Sequence, residues 1–193
     1  MKKITIDTIR SLKGANSAFA TLTAYDFTSA KLVDQAGIPL ILVGDSAAMV
    51  VYGYDTTIPV SMDEMIFLVG SVTRGAETAL VVADMPFMSY QVSVENAIFN
   101  AGRFVKEANA QAVKLEGGVN SADHITGIVN AGIPVMAHIG LTPQSFHQMS
   151  GYKVQGKTKS TAEQLIEDAV AVEAAGAFSV VLEGIPSELA KIV

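Results

Sequence analysis

Cysteine and tryptophan are absent from this chain of 193 residues, and charged residues are scarce at 17%. The lack of cysteine excludes a disulfide scaffold, a thiolate metal site and a cysteine nucleophile. The net charge of −6 argues against nucleic-acid partners, because proteins that bind nucleic acid usually carry a basic patch. No apolar run approaches the roughly 20 residues that cross a bilayer, so we expect no membrane partner either.

Half of the residues are apolar, which provides the buried surface that a folded chain needs. The length fits one domain, and no linker or change of composition divides the chain, so a single domain over 1–193 is predicted. The first ten residues are charged and lack an apolar segment. We therefore predict no signal peptide and expect a cytoplasmic protein.

A repeated pattern of a helix end, a glycine and a short apolar run predicts the fold class. It occurs at 34–46, 129–140 and 172–184. Apolar runs without alternation are typical of parallel strands that are buried on both faces. The six predicted strands are 19–24, 40–43, 80–83, 112–115, 135–137 and 178–182.

Helix starts lie between these strands. Ser61 with Glu64, and Thr161 with Gln164, have capping-box spacing, and Ser93 precedes an apolar stripe of helical period. The alternation predicts an α/β fold with a parallel sheet of about six strand–helix units. The length favours a doubly wound sheet, whereas a (β/α)8 barrel usually needs about 250 residues.

The polar residues favour the barrel. Each apolar run is followed by one polar or ionisable side chain, and α/β proteins place their sites at the carboxyl ends of the strands. A ring of such strand ends, each contributing one functional group, is how a barrel assembles an active site. No glycine-rich phosphate motif, which would be expected of a doubly wound sheet, is found. The residues at the strand ends are Tyr25, Asp45, Asp84, Glu116, His138 and Glu183.

Carboxylates that converge on one mouth repel each other, by about 4 kcal/mol for a pair about 4 Å apart at an effective dielectric constant of about 20. A divalent cation would relieve that repulsion, and an oxygen-only ligand set favours magnesium. Asp45, Asp84 and Glu116 are the ligand candidates. Lys114, on the same strand face as Glu116, would donate a hydrogen bond to a substrate carboxylate or enolate oxygen. Glu183 is then free to act as a base, and a dry pocket would need to raise its pKa for that role.

Each of these residues also has a simpler interpretation. A single acidic residue at a strand end is more often a helix N-cap, and Ser46 could cap the turn that follows. His138 could be a core histidine bonded to a backbone carbonyl. Only the joint placement of the carboxylates favours a functional site.

Several segments together resemble the ketopantoate hydroxymethyltransferase family over essentially the whole chain. The resemblance implies a (β/α)8 TIM barrel of the phosphoenolpyruvate/pyruvate-binding type and a homo-oligomer, typically a decamer. The segments are LVGDS (42–46), TIPVSMDEM (57–65), VVADMPFMSY (81–90), VKLEGG (113–118), AHIGLTPQS (137–145), SGYKVQG (150–156) and VVLEGIPSELA (180–190).

The family's reaction, in pantothenate biosynthesis, transfers a hydroxymethyl group from 5,10-methylenetetrahydrofolate to 3-methyl-2-oxobutanoate. By resemblance, magnesium is held by Asp45, Asp84 and Glu116, and Glu183 is the proton acceptor. The same resemblance implies that the 2-oxo acid contacts Asp45, Ser46, Asp84 and Lys114, with His138 as a further site residue.

Two departures from the family pattern stand out. Tyr54 occupies a position where the family often has histidine, and the chain is expected to lack the last two strand–helix units. Two alternatives therefore stay open at this point. One is a magnesium-dependent lyase or mutase of the phosphoenolpyruvate mutase/isocitrate lyase type, although no catalytic cysteine or phosphate clamp is found; the other is an inactive assembly subunit.

Overall fold

The structure, a computed structural model, describes residues 3–13 and 18–193. Its six strands are β1 (Leu22–Thr23), β2 (Leu40–Val43), β3 (Leu80–Asp84), β4 (Ala112–Glu116), β5 (Val135–Gly140) and β6 (Ser179–Glu183). The α-helices within these ranges are α1 (Ile6–Ser11), α2 (Phe27–Gln35), α3 (Ala47–Val50), α4 (Met62–Gly75), α5 (Val94–Ala108), α6 (Ala122–Asn130), α7 (Phe146–Met149), α8 (Lys159–Ala174) and α9 (Ser187–Ala190).

The strands form one parallel sheet in the order β1-β2-β3-β4-β5-β6, so every strand pairs with its sequence neighbours. A doubly wound sheet reverses its order at a switch point, whereas a barrel adds each strand beside the previous one. The order therefore confirms the predicted α/β barrel architecture, with six strands present.

Both faces of the sheet are buried along the central strands β2 to β5, and side chains alternate between them. Odd-numbered residues of the central strands, such as Val81, Val113 and Ala137, pack against the surrounding helices. Even-numbered residues, such as Leu80 and Ala112, form a second cluster on the inner face with Ile9 of α1. Burial on both sides explains why the strands are recognisable as unbroken apolar runs.

The predicted element boundaries need small corrections. β1 is only two residues long, and both are exposed, because it is an edge strand paired on one side. The capping boxes include Ser61 with Glu64, as predicted, but α8 is capped by Thr158 with Thr161 rather than by Thr161 with Gln164. Within the described residues, no helix has the length and apolar character needed to cross a membrane.

Candidate active site

The register of the central strands gathers four ionisable side chains. Asp84 of β3 is the Cα partner of Lys114 of β4, and Glu116 of β4 is the partner of His138 of β5. All four occupy even-numbered positions, so they lie on the inner face of the sheet. Nearer the amino ends of the strands, the residues on this face are apolar. Each of the four ionisable side chains is buried. The inner face thus changes from apolar to charged at the carboxyl end of the sheet.

Lys114 lies at the centre of this cluster. Its Nζ is 2.9 Å from Asp84 Oδ1 and 3.1 Å from Nδ1 of His138. An ammonium group only donates hydrogen bonds, so the Nδ1 atom accepts and the ring proton is on Nε2. Burial and the nearby Lys114 charge both lower the pKa of His138, which keeps the imidazole neutral.

The loop after β2 brings Asp45 and Ser46 to the same cluster. The backbone N–H of Asp45 donates to Asp84 Oδ2 at 2.9 Å, and the Asp45 side chain is buried. Ser46 Oγ and the hydroxyl of Tyr25 are 2.8 Å apart. The predicted strand-end residues of β1, β2 and β3 therefore do meet, through the aspartates and through this hydroxyl pair.

Two residues that no sequence pattern indicated, Gln144 and Tyr90, connect the carboxylates. Gln144 donates from Nε2 to Asp45 Oδ2 at 2.9 Å and from its backbone N–H to Glu116 Oε2 at 3.1 Å. The Tyr90 hydroxyl is 2.8 Å from Gln144 Oε1. Gln144 lies in a turn after β5 and Tyr90 in the loop after β3, so neither is marked by a strand end; only their presence in the family-like segments could have drawn attention to them.

Burial makes the two inner carboxyl groups unusually basic. Loss of solvation raises the pKa of Asp84 to about 7, with Lys114 opposing the rise and Asp45 adding to it. Loss of solvation likewise raises the pKa of Glu116 to about 8, again against the effect of Lys114. Burial alone would lower the pKa of Lys114, but the surrounding carboxylates outweigh it and raise that pKa. The cluster holds more acidic than basic groups in a dry environment.

The pKa of Glu183 differs from the value expected from the sequence. Glu183 Oε2 lies 3.3 Å from His138 Nε2, and the Glu183 side chain is 44% exposed. The contact with His138 lowers the pKa of Glu183, more than partial burial raises it. The expected rise was therefore wrong: the carboxyl groups whose pKa burial raises are Asp84 and Glu116, and Glu183 carries an ionised carboxylate at neutral pH.

A cavity of about 430 Å³ opens beside Glu116. Tyr90 and Gln144 line it as well, so it reaches the hydrogen-bonded link between the carboxylates. Phe87 and Ile58 add apolar surface, and several amide and hydroxyl groups add polar contacts.

Tyr54, which replaces the family's frequent histidine, is exposed, and its ring centroid lies 6.3 Å from that of Tyr52.

The donor atoms fit a hard cation, although no complete ligand set is preformed. Within residues 3–13 and 18–193, no group of three or more His, Asp or Glu side chains is arranged to hold a metal ion. However, Oε1 of Glu116 is buried without a hydrogen-bond partner among these residues, and Oδ1 of Asp84 has Lys114 as its nearby charge. Magnesium commonly takes only one or two protein carboxylates, and water or substrate oxygens complete its shell.

Comparison with known proteins identifies relatives along nearly the whole chain. Residues 3–193 match the profile of the family described as ketopantoate hydroxymethyltransferase. A 3-methyl-2-oxobutanoate hydroxymethyltransferase of Dehalococcoides mccartyi is 58% identical over 191 residues, covering 99% of this chain and 68% of the relative. The enzyme of the same name from Carboxydothermus hydrogenoformans is 54% identical over 190 residues, covering 98% of this chain and 69% of the relative.

Solved structures share the fold at much lower sequence identity. A phosphonopyruvate hydrolase crystallised with oxalate and Mg²⁺ has a TM-score of 0.70 at 15% identity, covering 95% of this chain and 64% of its own. A 2,3-dimethylmalate lyase of the phosphoenolpyruvate mutase/isocitrate lyase superfamily has a TM-score of 0.69 at 20% identity, covering all of this chain and 68% of its own. This chain therefore spans about two thirds of the length of these relatives, and the likeness to the solved structures establishes the barrel fold.

Proposed function

Because this chain belongs to the ketopantoate hydroxymethyltransferase family, we propose that it catalyses transfer of a hydroxymethyl group to 3-methyl-2-oxobutanoate, giving 2-dehydropantoate. The donor in this proposal is 5,10-methylenetetrahydrofolate, and the product would enter pantothenate biosynthesis. Homo-oligomeric assembly and a cytoplasmic location stay predictions from the sequence.

The observation that carries the proposal is the position of Lys114 among buried acidic groups. Its ammonium contacts Asp84 at 2.9 Å, next to a neutral His138 and a dry Glu116. A 2-oxo acid presents a carboxylate and a keto oxygen, both of which accept hydrogen bonds from an ammonium group. A buried cation in a water-poor site stabilises negative charge that develops on such an oxygen far better than it would in water.

Asp45, Asp84 and Glu116 are the candidate ligands of a magnesium ion in this proposal. The excess of acidic over basic groups in the cluster and the unpartnered Glu116 Oε1 support a cation here, because a cation would favour the ionised form of carboxyl groups whose pKa burial has raised. When bound, the ion would supply Lewis-acid polarisation of the substrate's keto oxygen. Ser46, whose hydroxyl is fixed by Tyr25, is positioned to donate to the 2-oxo acid beside Asp45.

Glu183 acts as the base in the proposed reaction. Its carboxylate is ionised at neutral pH, and it takes the proton from C3 of the 2-oxo acid as that C–H bond breaks. His138 orients the carboxylate through Nε2, while Lys114 fixes the ring from the other side at Nδ1. The electron pair left at C3, delocalised onto the keto oxygen beside Lys114, then forms the new carbon–carbon bond to the donor's methylene carbon as the first of that carbon's two C–N bonds breaks. Water displaces the second nitrogen and supplies the hydroxyl oxygen. The two nitrogens take up the proton received by Glu183 and one proton of the water, and tetrahydrofolate leaves.

Two measurements on the same preparation test the proposal. Proton NMR in deuterated solvent should show loss of the C3 proton of 3-methyl-2-oxobutanoate in the presence of magnesium, with no folate needed. Addition of 5,10-methylenetetrahydrofolate should then yield 2-dehydropantoate. Proton exchange without product would contradict the transferase proposal, and the absence of both would contradict the assignment of the site to a 2-oxo acid.

A further inference from the structure

Gln144 is the polar side chain with the most contacts in the cluster. It is 4% exposed and lies in the short turn Pro143–Ser145 that follows β5. Its Nε2 donates to Asp45 Oδ2 and to the carbonyl oxygen of Met85, both at 2.9 Å. Its backbone N–H donates to Glu116 Oε2 at 3.1 Å. One residue therefore holds two carboxylates that are 71 positions apart in the sequence.

The orientation of the Gln144 amide is set by its neighbours. Oε1 accepts from the Tyr90 hydroxyl at 2.8 Å and from Gln91 Nε2 at 3.1 Å. The Tyr90 oxygen in turn accepts the backbone N–H of Glu116 at 3.1 Å, and of the two acceptors near its own proton, Gln144 Oε1 at 2.8 Å is closer than the Glu116 carbonyl oxygen at 3.3 Å. A flipped amide would place its oxygen against the Asp45 carboxylate and the Met85 carbonyl, where three acceptors would face each other without a proton.

This network occupies one oxygen of each carboxylate and leaves the other. Oε1 of Glu116 is buried and makes no hydrogen bond to the part of the chain that the structure describes, and Oδ1 of Asp45 makes none there either. A buried polar atom seldom lacks a partner, and a bound ion or water is one common reason when it does. The two remaining oxygens are the ones available to a cation or to a group coordinated with it.

We propose that Gln144 is a positioning residue, which turns Asp45 and Glu116 so that each presents one free oxygen to the bound cation and 2-oxo acid. The proposal rests on the proposed function and adds a residue to which the family resemblance assigned no role. Partners of metal-binding carboxylates are commonly needed for affinity, and their loss typically costs 10- to 100-fold.

The chain offers a matched control in Gln111. Its Oε1 accepts the backbone N–H of Val81 at 2.9 Å, so it also joins two neighbouring strands through its side chain. It lies just before β4, at the end of the sheet opposite to the charged cluster, and it contacts no ionisable group of the cluster. The same substitution at the two positions therefore separates a loss of support for the sheet from a loss of carboxylate orientation.

The test is calorimetric titration of Mg²⁺ in the presence of 3-methyl-2-oxobutanoate, with the melting temperature recorded for each variant. Gln144→Met keeps the backbone contact with Glu116 and removes the side-chain donors, so Mg²⁺ affinity should fall at least tenfold. Gln111→Met should lower the melting temperature and leave the affinity within twofold of that of the unaltered protein. Equal affinities for Gln144→Met and the unaltered protein would overturn the proposal.

Tyr90→Phe provides a second route if Gln144→Met does not fold. It removes the hydroxyl that fixes the amide, so Mg²⁺ affinity should fall in the same direction; an unchanged affinity would overturn the proposal. If the unaltered protein binds neither Mg²⁺ nor the 2-oxo acid, the proposed function fails and this inference fails with it. Binding by the unaltered protein together with unchanged variants overturns the role of Gln144 alone.

Discussion

Lys114 and Asp84 face each other across neighbouring parallel strands, with their charged atoms 2.9 Å apart and both side chains almost completely buried. The contact follows from strand register, because the two residues are Cα partners on the same face of the sheet. A buried pair of this kind contributes little net stability compared with apolar residues, but removal of one partner is costly because it leaves the other charge uncompensated.

Lys114→Met should therefore destabilise the protein by about 3 kcal/mol, the lower end of the range for a broken buried pair, since Asp84 can escape part of the cost by taking up a proton. The measurement is urea unfolding at neutral pH. Lys191→Met is the control, because Lys191 makes a 2.9 Å contact with Glu188 at the exposed surface, and its loss should cost no more than about 0.5 kcal/mol. Similar losses for both variants would contradict the importance of burial.

Asp84→Ala is expected to weaken Mg²⁺ binding in calorimetry by at least tenfold, because it removes a candidate ligand and frees Lys114 to repel the ion. Asp63→Ala is the matched control: Asp63 is also paired with a cation, Arg103, at 2.8 Å, but its side chain is exposed. Its substitution should leave Mg²⁺ affinity unchanged. An Asp84→Ala protein with the affinity of the unaltered chain would remove Asp84 from the ligand candidates.

Glu183→Gln should abolish exchange of the C3 proton of 3-methyl-2-oxobutanoate with deuterated solvent while leaving binding of that acid nearly intact. An amide has the size of the carboxylate but cannot take up the proton. Proton NMR follows the exchange, and Glu188→Gln, an exposed change five residues further along, serves as the control. Exchange at the rate of the unaltered protein would exclude Glu183 as the base.

The raised pKa values predict how stability depends on pH in the absence of metal. The folded chain holds protons on Glu116 up to a pKa of about 8 and on Asp84 up to about 7, whereas the unfolded chain releases them near pH 4. The folded state binds more protons across this window, so the free energy of unfolding should fall as pH rises from about 5 to about 8. Urea unfolding at several pH values measures the slope, which Glu116→Gln should make shallower; an unchanged slope would contradict the shift at Glu116.

The sequence predicted those parts of the molecule that depend on local pattern. β2 was predicted at its observed limits, and the acidic residues at the ends of β3, β4 and β6 were recognised because parallel strands expose their carboxyl ends together. The choice between the two architectures needed the strand order, which depends on contacts distant in sequence. The polar residues at the strand ends favoured the barrel, which is the observed architecture, whereas the length of the chain favoured a doubly wound sheet.

The finer properties of the site could not be predicted in this way. The pKa of Glu183 depends mainly on its contact with His138, a residue of the neighbouring strand 45 positions earlier in the sequence. Gln144 and Tyr90 contribute neutral hydrogen-bonding groups from loops, and their importance depends on angles and distances that no spacing rule supplies.

The position of α1 has a consequence for the chemistry at the other end of the sheet. Ile9 packs into the inner apolar cluster, and the N–H of Ile4 is bonded to the carbonyl of Thr78 at the foot of β3. This segment covers the amino end of the inner face, whose carboxyl end carries the acidic groups. The apolar layer beneath those groups is therefore completed by a short helix that lies outside the sheet.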